Sequence, residues 1–203
     1  VPFEVEEIPD SSIYQGYTKV RTAGVEGWAT YNADVTYING TEQDRVINST
    51  DVHKEPVTQV VAVGTKPRPK TMASGKFIWP IRGRVTSGYG SRYIFGSYSF
   101  HSGIDIAGSY GAPIAAADGG KVVFAGTGTG GYWSYGNYVV IDHENGYQTI
   151  YAHCSSLNVR AGERVFQGQT IARVGSTGRS TGNHCHFQVK VNGTTVSPWN
   201  YLP

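Results

Sequence analysis

Polar and apolar side chains alternate without interruption in the stretch His184-Cys185-His186-Phe187-Gln188-Val189-Lys190-Val191. Such alternation is typical of a β-strand, in which successive side chains point to opposite faces. We therefore expect the imidazoles of His184 and His186 on one face of this strand and the thiol of Cys185 on the other. Two imidazoles on one face are candidate metal ligands or catalytic groups.

Two further motifs place similar residues on strand-like segments. The alternation predicts that Tyr151 and His153 share one face of a strand and that Cys154 points away from it. His101 and Asp105 lie four positions apart in a glycine-containing segment, which indicates a strand with both side chains on one face. The motifs are His101-Ser102-Gly103-Ile104-Asp105 and Tyr151-Ala152-His153.

Four of the six histidines and one aspartate thus fall into three short motifs. Zinc binds imidazole nitrogen and carboxylate oxygen, and a catalytic zinc site uses three protein ligands with one position left for water. The motifs supply enough groups for three ligands and leave two histidines for acid–base chemistry, which indicates an enzyme. The helical His-Glu-x-x-His motif is absent, which excludes that class of zinc protease.

The composition indicates a fold built from strands and turns. The 203 residues include 27 Gly and 14 Tyr but only one Met. Short apolar segments recur between glycines, and no segment shows a convincing amphipathic helical pattern. The hydrophobic content of 39% is enough to bury a core. We predict an all-β protein.

The chain divides into two predicted domains. Residues 65–76 contain prolines and no apolar periodicity, which indicates a linker. Before it, residues 32–38 alternate in period two and lead into Asn39-Gly40, a strong hairpin signal. Apolar material is sparse there, so we expect a thin, elongated sheet. The predicted boundaries are 1–66 for an N-terminal module, 67–76 for the linker and 77–203 for a second domain.

The N-terminal part resembles the G-five module, a small extended β domain of bacterial surface proteins. The resemblance covers roughly residues 1–66 and includes the Val35-Thr36-Tyr37-Ile38-Asn39-Gly40 hairpin and the Lys54-Glu55-Pro56-Val57 segment. It implies an adhesive or spacer role at the cell wall, with amino-sugar polymers as the ligands. A spacer without a ligand is the alternative.

Residues 77–203 resemble the lysostaphin-like zinc endopeptidases, which cut peptides of bacterial peptidoglycan. Besides the histidine motifs, the resemblance rests on Thr86-Ser87-Gly88-Tyr89-Gly90-Ser91-Arg92, Gly136-Asn137-Tyr138-Val139-Val140-Ile141 and Val165-Phe166-Gln167-Gly168-Gln169. It implies a β-sandwich or barrel-sandwich-hybrid-like catalytic domain. In that family the positions of His101, Asp105 and His186 ligate one zinc ion, and those of His153 and His184 are the unligated catalytic pair.

The resemblance implies a zinc-dependent endopeptidase that acts on cross-links or stem peptides of peptidoglycan, outside the cell or at the cell wall. We expect His184 to act as the base and His153 as its partner, although the residues alone leave this choice open. Gln188 stands where many relatives carry Glu. Because it lies outside the ligand set, we expect only an indirect effect.

Charge and hydropathy limit the classes of partner. The formal net charge of +2 is too small to indicate nucleic-acid binding. Residues 1–76 carry 8 Lys/Arg against 10 Asp/Glu, a net of −2, which leaves 9 against 5, a net of +4, for residues 77–203. No run approaches the ~20 apolar residues that span a membrane. The chain begins at Val1 without a visible secretion signal, so we expect a processed or truncated chain.

Several residues have a structural interpretation beside a functional one. Cys154 and Cys185 could form a disulfide if their strands are neighbours, or stay buried as thiols. His143 lies in a predicted hairpin tip and His53 outside every motif, so both are expected at the surface. Tyr151 is expected to be a packed aromatic rather than a polar neighbour of the site.

The substrate groove is expected to come from loops at residues 91–100, 126–137 and 175–183, which are rich in Gly, Ser, Tyr and Thr. Their aromatic rings could stack a peptide or only cover the site. Two alternatives to the enzyme fit parts of the sequence. A lipoyl-type carrier has a similar glycine and valine spacing at residues 159–175 but needs a modified lysine that is missing. A non-catalytic wall-binding protein on the same fold would lack ligand histidines, and all are present here.

Overall fold

The computed structural model describes residues 1–94 and 96–203. About 55% of the chain is strand and 4% helical, which confirms the all-β prediction. The chain folds into two compact units, residues 1–68 and 69–203. The domain boundaries given above remain a prediction.

The first unit has very little interior. A three-stranded sheet has β5 at its centre, parallel to β1 and antiparallel to β2. β3 and β4 form a separate ribbon that turns at Asn39 and Gly40, both with positive φ, as the hairpin signal predicts. Nearly every ribbon side chain is exposed, and Ala62 of β5 is fully buried. The strands are β1 (Val5–Tyr14), β2 (Thr18–Thr22), β3 (Trp28–Ile38), β4 (Thr41–Lys54) and β5 (Gln59–Lys66).

The second unit contains two sheets and a hairpin. The strands are β6 (Val85–Ser87), β7 (Gly90–Ile94), β8 (Ser97–His101), β9 (Ile104–Ala107), β10 (Pro113–Ala115), β11 (Gly120–Thr127), β12 (Asn137–Asp142), β13 (Tyr147–Cys154), β14 (Ser156–Leu157), β15 (Arg164–Val165), β16 (Thr170–Arg173), β17 (His184–Val191) and β18 (Thr194–Val196). Short 3-10 helices cover Gly130–Tyr135 and Pro198–Asn200. The large sheet has the order β15-β11-β12-β13-β17-β9-β6, with β18 paired to β17. The small sheet has the order β10-β16-β14, and β7 pairs with β8 alone.

The core of the second unit contains side chains from both sheets. Phe187 and Val189 of β17 lie in one buried cluster with Ile114 of β10 and Ile171 of β16. The intervening residues of β17 therefore face away from this core, as the period-two pattern predicts. β17 is buried along most of its length, and the face turned away from the core carries His184 and His186.

His143 is buried, so its expected place at the surface is wrong. The hairpin tip itself is confirmed, because β12 ends at Asp142 and β13 begins at Tyr147. The His143 ring turns inward, where Nδ1 donates to the Gly119 carbonyl at 2.7 Å and Nε2 pairs with the Thr149 hydroxyl at 2.9 Å. His53 is exposed as expected, and it stacks on Trp28.

The start of the second unit is tied to its core by a buried carboxylate. Asp118 is fully buried and accepts hydrogen bonds from the backbone N–H groups of Ser74, Gly75 and Gly119 at 2.8–2.9 Å. These bonds fix the segment that leads into the first core residue, Phe77. Within the described residues, no helix is long and apolar enough to cross a membrane.

Candidate metal and catalytic site

Strand pairing brings the first candidate ligands together. In the antiparallel pair of β9 and β17, Asp105 lies opposite His186. His101 ends β8, two residues before Gly103. A Cβ atom at Gly103 would lie 2.3 Å from the Phe187 carbonyl oxygen and 2.9 Å from the His186 ring, so only glycine allows this approach.

The three side chains converge on one point. His186 Nδ1 lies 2.9 Å from Asp105 Oδ1 and 2.9 Å from His101 Nε2, and His101 Nε2 lies 3.0 Å from Asp105 Oδ1. All three residues are buried. Three atoms that share a tetrahedral zinc at ~2.0–2.1 Å would lie about 3.3 Å apart, slightly farther than here. The triangle therefore has the atoms and nearly the size that a zinc site needs.

The hydrogen bonds around the triangle favour a cation at its centre. His101 Nδ1 donates to the Gly88 carbonyl at 2.7 Å, so Nε2 of neutral His101 presents a lone pair. His186 presents Nδ1 to the same point, while its Nε2 lies on the Gly103 side of the ring. Burial alone would raise the pKa of Asp105, but the adjacent His101 and His186 rings hold it well below its ordinary value. A carboxylate and two imidazoles facing one point fit a divalent ion.

Two more imidazoles face the same point from the side. His184 Nε2 lies 3.5 Å from Asp105 Oδ1, and its ring packs against that of His153 with centroids 4.6 Å apart. His184 Nδ1 donates to the Gly182 carbonyl and His153 Nδ1 to the Thr177 carbonyl, both at 2.8 Å. Both neutral rings therefore present an Nε2 lone pair to the site.

His153 reaches the site through a break in the strand pattern. The prediction that it shares a face with Tyr151 is wrong, because its φ of 62° turns its side chain to the other face. Tyr151 is fully buried in the core, where its hydroxyl accepts from the Ala117 N–H at 2.7 Å. The interpretation of Tyr151 as a packed aromatic is confirmed.

The environment of His153 keeps it neutral. Burial lowers the pKa of His153 to about 4, against the raising effect of its bond to the Thr177 carbonyl. Neighbouring His184 and His186 add to the lowering, because like charges disfavour protonation. Burial also lowers the pKa of His186. At neutral pH both rings are therefore uncharged and can offer lone pairs.

A cleft opens over the five residues, and residues from each of the three predicted loop regions line it. The region at 91–100 is the β7–β8 hairpin rather than a loop, and position 95 lies outside the described residues. Arg92 and Ile94 line the cleft, whereas Tyr93 and Tyr98 pair with centroids 5.1 Å apart and are 65% and 85% exposed. Alternation places this tyrosine pair on the opposite face of the hairpin, away from the cleft.

A buried amide supports the site from behind. Gln188 Oε1 accepts from the hydroxyls of Ser102 at 3.0 Å and Tyr135 at 2.8 Å, and its Nε2 donates to Thr195 Oγ1 at 2.9 Å. The Tyr135 ring packs against His186 with centroids 5.6 Å apart. Gln188 touches no ligand atom, so it acts through its neighbours.

Arg92 is the functional residue that the residue patterns alone did not reveal. Its Nη1 donates to Asp105 Oδ2 at 2.9 Å and to Ser87 Oγ at 2.5 Å. Arg92 ends one of the segments that carry the family resemblance, and carboxylate ligands are themselves hydrogen-bonded in metal sites, but neither signal assigned it a partner. Nothing in the spacing of Arg92 and Asp105 identifies them as partners.

The two cysteines face the core and not the site. Cys154 and Cys185 are both buried and free. Burial raises the pKa of Cys154 to about 12 and that of Cys185 well above its ordinary value. Both thiols are therefore protonated at neutral pH and poor candidates for metal ligation.

Comparisons with known proteins divide the chain in the same way. The family model for peptidase family M23 matches residues 99–198, and the G5 domain model matches residues 1–66. The catalytic domain of the antimicrobial peptidase lysostaphin from Staphylococcus simulans is similar in structure, with 33% identity, a TM-score of 0.53, and 59% of this chain and 91% of that chain covered. The catalytic domain of the prophage-encoded M23 protein EnpA from Enterococcus faecalis, solved as a point mutant, gives 33% identity, a TM-score of 0.52, and coverage of 61% and 96%.

Curated relatives carry two kinds of name. The murein hydrolase activator NlpD of Salmonella dublin is 38% identical over 152 residues, which are 73% of this chain and 38% of that protein. The DD-carboxypeptidase/endopeptidase Mpg of Neisseria meningitidis serogroup B is 42% identical over 117 residues, which are 57% of this chain and 26% of that protein. The chain thus spans less than half the length of these relatives.

Proposed function

The chain belongs to peptidase family M23, and from that premise we propose that it is a zinc-dependent endopeptidase of bacterial peptidoglycan. Its substrates are peptide bonds in cross-links or stem peptides. Peptidases of this family are zinc-dependent, and the relatives include a DD-carboxypeptidase/endopeptidase. His101, Asp105 and His186 are the proposed zinc ligands, and His153 and His184 the proposed catalytic pair.

One observation carries this proposal: the cleft holds more histidine than a structural metal site needs. A closed structural zinc site uses four protein ligands. Here three candidate ligand atoms meet within 3.0 Å of one another, and the rings of His153 and His184 remain beside them with Nε2 free. A site with three ligands and two spare bases supports hydrolysis.

The five residues have different proposed roles in peptide hydrolysis. Zinc held by His101, Asp105 and His186 would supply Lewis-acid polarisation of the scissile carbonyl and a lowered pKa for the attacking water. His184 Nε2, which lies 3.5 Å from Asp105 Oδ1, is placed to take the proton of that water. The bond from His184 Nδ1 to the Gly182 carbonyl fixes the tautomer that this step requires.

His153 acts as the partner of His184. A ring with a pKa of about 4 is a weak proton acceptor at neutral pH, which favours His184 as the base. Packed at 4.6 Å from the His184 ring, His153 limits its orientations. The proton taken by His184 then returns to the leaving amine.

The N-terminal module is proposed to hold the enzyme at the cell wall, outside the cell. Its ribbon of β3 and β4 buries almost nothing, so both faces are available to a polymer or to solvent. Amino-sugar polymers of the wall are the proposed ligands, and a spacer without a ligand is the alternative. The wall itself is then the substrate and the anchor.

A second candidate function is a non-catalytic activator of other wall hydrolases. It is favoured by one observation, the 38% identity to a protein named as a murein hydrolase activator. Against it, all five residues of the proposed site are present and converge in this chain. Bound zinc without cleavage of any wall would support this candidate.

Both candidates are tested by incubating the protein with purified peptidoglycans that differ in cross-link chemistry. We expect loss of turbidity and release of peptide fragments, abolished by a chelator and restored by zinc. The fragment masses identify the bond that is cut. If one zinc binds per chain and no wall releases fragments, the endopeptidase proposal is wrong and the activator is favoured.

A further inference from the structure

The two oxygens of Asp105 have different partners. Oδ1 belongs to the triangle with His101 and His186, at 3.0 and 2.9 Å. Oδ2 accepts a hydrogen bond from Arg92 Nη1 at 2.9 Å. A carboxylate can rotate and present either oxygen or both to a metal. The guanidinium prevents this rotation, because it would break a charge-assisted bond.

Arg92 comes from a different element than the candidate ligands it serves. It lies on β7, which within the described residues pairs only with β8, the strand that ends at His101. Its Nη1 also donates to Ser87 Oγ at 2.5 Å, so one side chain bridges the hairpin, β6 and Asp105 of β9. The pair is largely shielded, with side-chain exposures of 28% for Arg92 and 12% for Asp105. Such shielding makes the interaction stronger than a surface ion pair.

The hairpin depends on few other contacts within the described residues. At its base, Tyr89 packs edge-on against Phe100, and His101 Nδ1 donates to the Gly88 carbonyl. Farther along the hairpin, Tyr93 and Tyr98 contact each other and are exposed. Arg92 on β7 and His101 at the end of β8 therefore join the cleft-facing side of the hairpin to the large sheet.

From these contacts we infer that Arg92 is a positioning residue that orients Asp105 for zinc and fastens the β7–β8 hairpin to the metal site. The inference rests on the proposed zinc site. Two consequences follow together. Loss of Arg92 weakens zinc binding, since partners of metal ligands typically contribute ~10–100-fold in affinity. Zinc in turn orders the hairpin, because coupling between two sites is reciprocal.

The test measures zinc affinity and hairpin order, independently of cleavage. Metal-free full-length protein is titrated with zinc against a competing chromophoric chelator, for the wild type, Arg92→Gln and Arg92→Lys. We expect a ~10–100-fold weaker affinity for Arg92→Gln. Both bonds come from the single nitrogen Nη1, and a lysine ammonium can donate both but sits on a shorter side chain, so Arg92→Lys should lie between the two.

Arg164→Gln is the matched control. Arg164 also donates to a carboxylate, that of Glu144, through Nη1 and Nη2 at 2.8 and 2.9 Å, but this pair is about half exposed and outside the cleft. Its loss should leave zinc affinity unchanged. Circular dichroism of each variant distinguishes misfolding from weakened binding, and Arg92→Lys keeps the test decisive if Arg92→Gln does not fold.

Hydrogen exchange of the amides in residues 91–94 and 97–100 measures the second consequence. Zinc should slow their exchange in the wild type and in Arg164→Gln, and less so in Arg92→Gln, in which only His101 joins the hairpin to the metal site. Zinc affinity equal to that of the wild type in both Arg92 variants would overturn the inference. If Arg92→Gln weakened zinc affinity but zinc protected its hairpin amides as strongly as in the wild type, the inference that Arg92 fastens the hairpin would be wrong. A wild-type protein that binds no zinc would instead refute the proposed function.

Discussion

The second unit contains two groups of polar residues with similar side chains. The groups differ in how their polar atoms are hydrogen-bonded. The cleft group consists of His101, Asp105, His153, His184 and His186. The core group consists of Asp118, His143, Thr149 and Tyr151. Both groups contain buried histidines whose Nδ1 donates to a backbone carbonyl, namely His143, His101 and His153. They differ at the second nitrogen of the ring.

In the core group every described polar atom is used internally. His143 Nε2 pairs with the Thr149 hydroxyl, and the Thr149 hydroxyl hydrogen-bonds the Tyr151 hydroxyl at 2.9 Å. The Tyr151 hydroxyl in turn accepts from the Ala117 N–H. In the cleft group, His153 and His184 line the open cleft, and no hydrogen bond of their Nε2 atoms to another described residue matches that of His143 Nε2. Buried polar groups normally find partners. The comparison indicates that atoms left over in a buried cluster, rather than burial itself, mark the functional site.

Removal of a proposed ligand should give the largest effect. Asp105→Ala deletes one corner of the triangle and leaves the Arg92 guanidinium without its carboxylate. We expect zinc content and wall-degrading activity to be lost together, with activity falling by at least ~10³-fold because Lewis-acid catalysis is removed. Metal analysis of the purified protein and turbidity assays measure the two losses. Full activity without bound zinc would contradict the ligand assignment.

Removal of the proposed base should separate binding from chemistry. In His184→Ala the triangle of His101, Asp105 and His186 is intact, so zinc content should stay near that of the wild type. Activity should fall ~10²–10⁴-fold, the usual contribution of a general base. His153→Ala serves as the comparison, since it removes the ring that packs against His184. Equal zinc content with undiminished activity in His184→Ala would make His153 the base.

Much of this site could be predicted from alternation and residue type. His186 and Asp105 lie opposite each other on paired strands, as period-two geometry allows. His153 could not be placed in this way, because its positive φ breaks the period-two alternation on which the prediction depends. His143 was misplaced for a related reason: a turn position predicts an exposed backbone, but the direction of its ring depends on the Gly119 carbonyl and the Thr149 hydroxyl. The partner of Asp105 was missed because Arg92 belongs to another strand pair.

A change in the core group should reduce stability and leave zinc binding unchanged. His143→Ala leaves the Gly119 carbonyl and the Thr149 hydroxyl without a partner and opens a cavity beside Phe77, whose ring lies 5.1 Å from that of His143. We expect a loss of about 2–4 kcal/mol in the free energy of unfolding. Denaturant unfolding measures it, with zinc content of the folded protein as the control. A loss of zinc equal to that of Asp105→Ala would contradict the separation of the two groups.

The pH dependence of the free energy of unfolding should also contain a contribution from His143. Burial lowers the pKa of His143, against the raising effect of the Gly119 carbonyl. The unfolded chain, with an ordinary histidine pKa of about 6.5, therefore binds the proton more readily than the folded chain. The contribution of neutral His143 is present above that pH and is lost as the pH falls toward the folded-state value. Unfolding of metal-free protein between about pH 7 and 5 should lose less stability in His143→Gln than in the wild type, and identical slopes would contradict this assignment.

The smallest effect is expected at Gln188, which belongs to neither group. Gln188 is buried behind the ligands and reaches Ser102, Tyr135 and Thr195 without touching the triangle. Gln188→Glu keeps an acceptor for the Ser102 and Tyr135 hydroxyls, and the Thr195 hydroxyl can rotate to donate in place of the lost amide donor. Zinc affinity and activity should therefore change by no more than a few-fold. Gln188→Leu is the sharper comparison, because it leaves both hydroxyls unpaired and frees the Tyr135 ring that packs on His186. If Glu impaired the site as severely as Leu, the charge at this position and not its hydrogen bonds would govern the ligands.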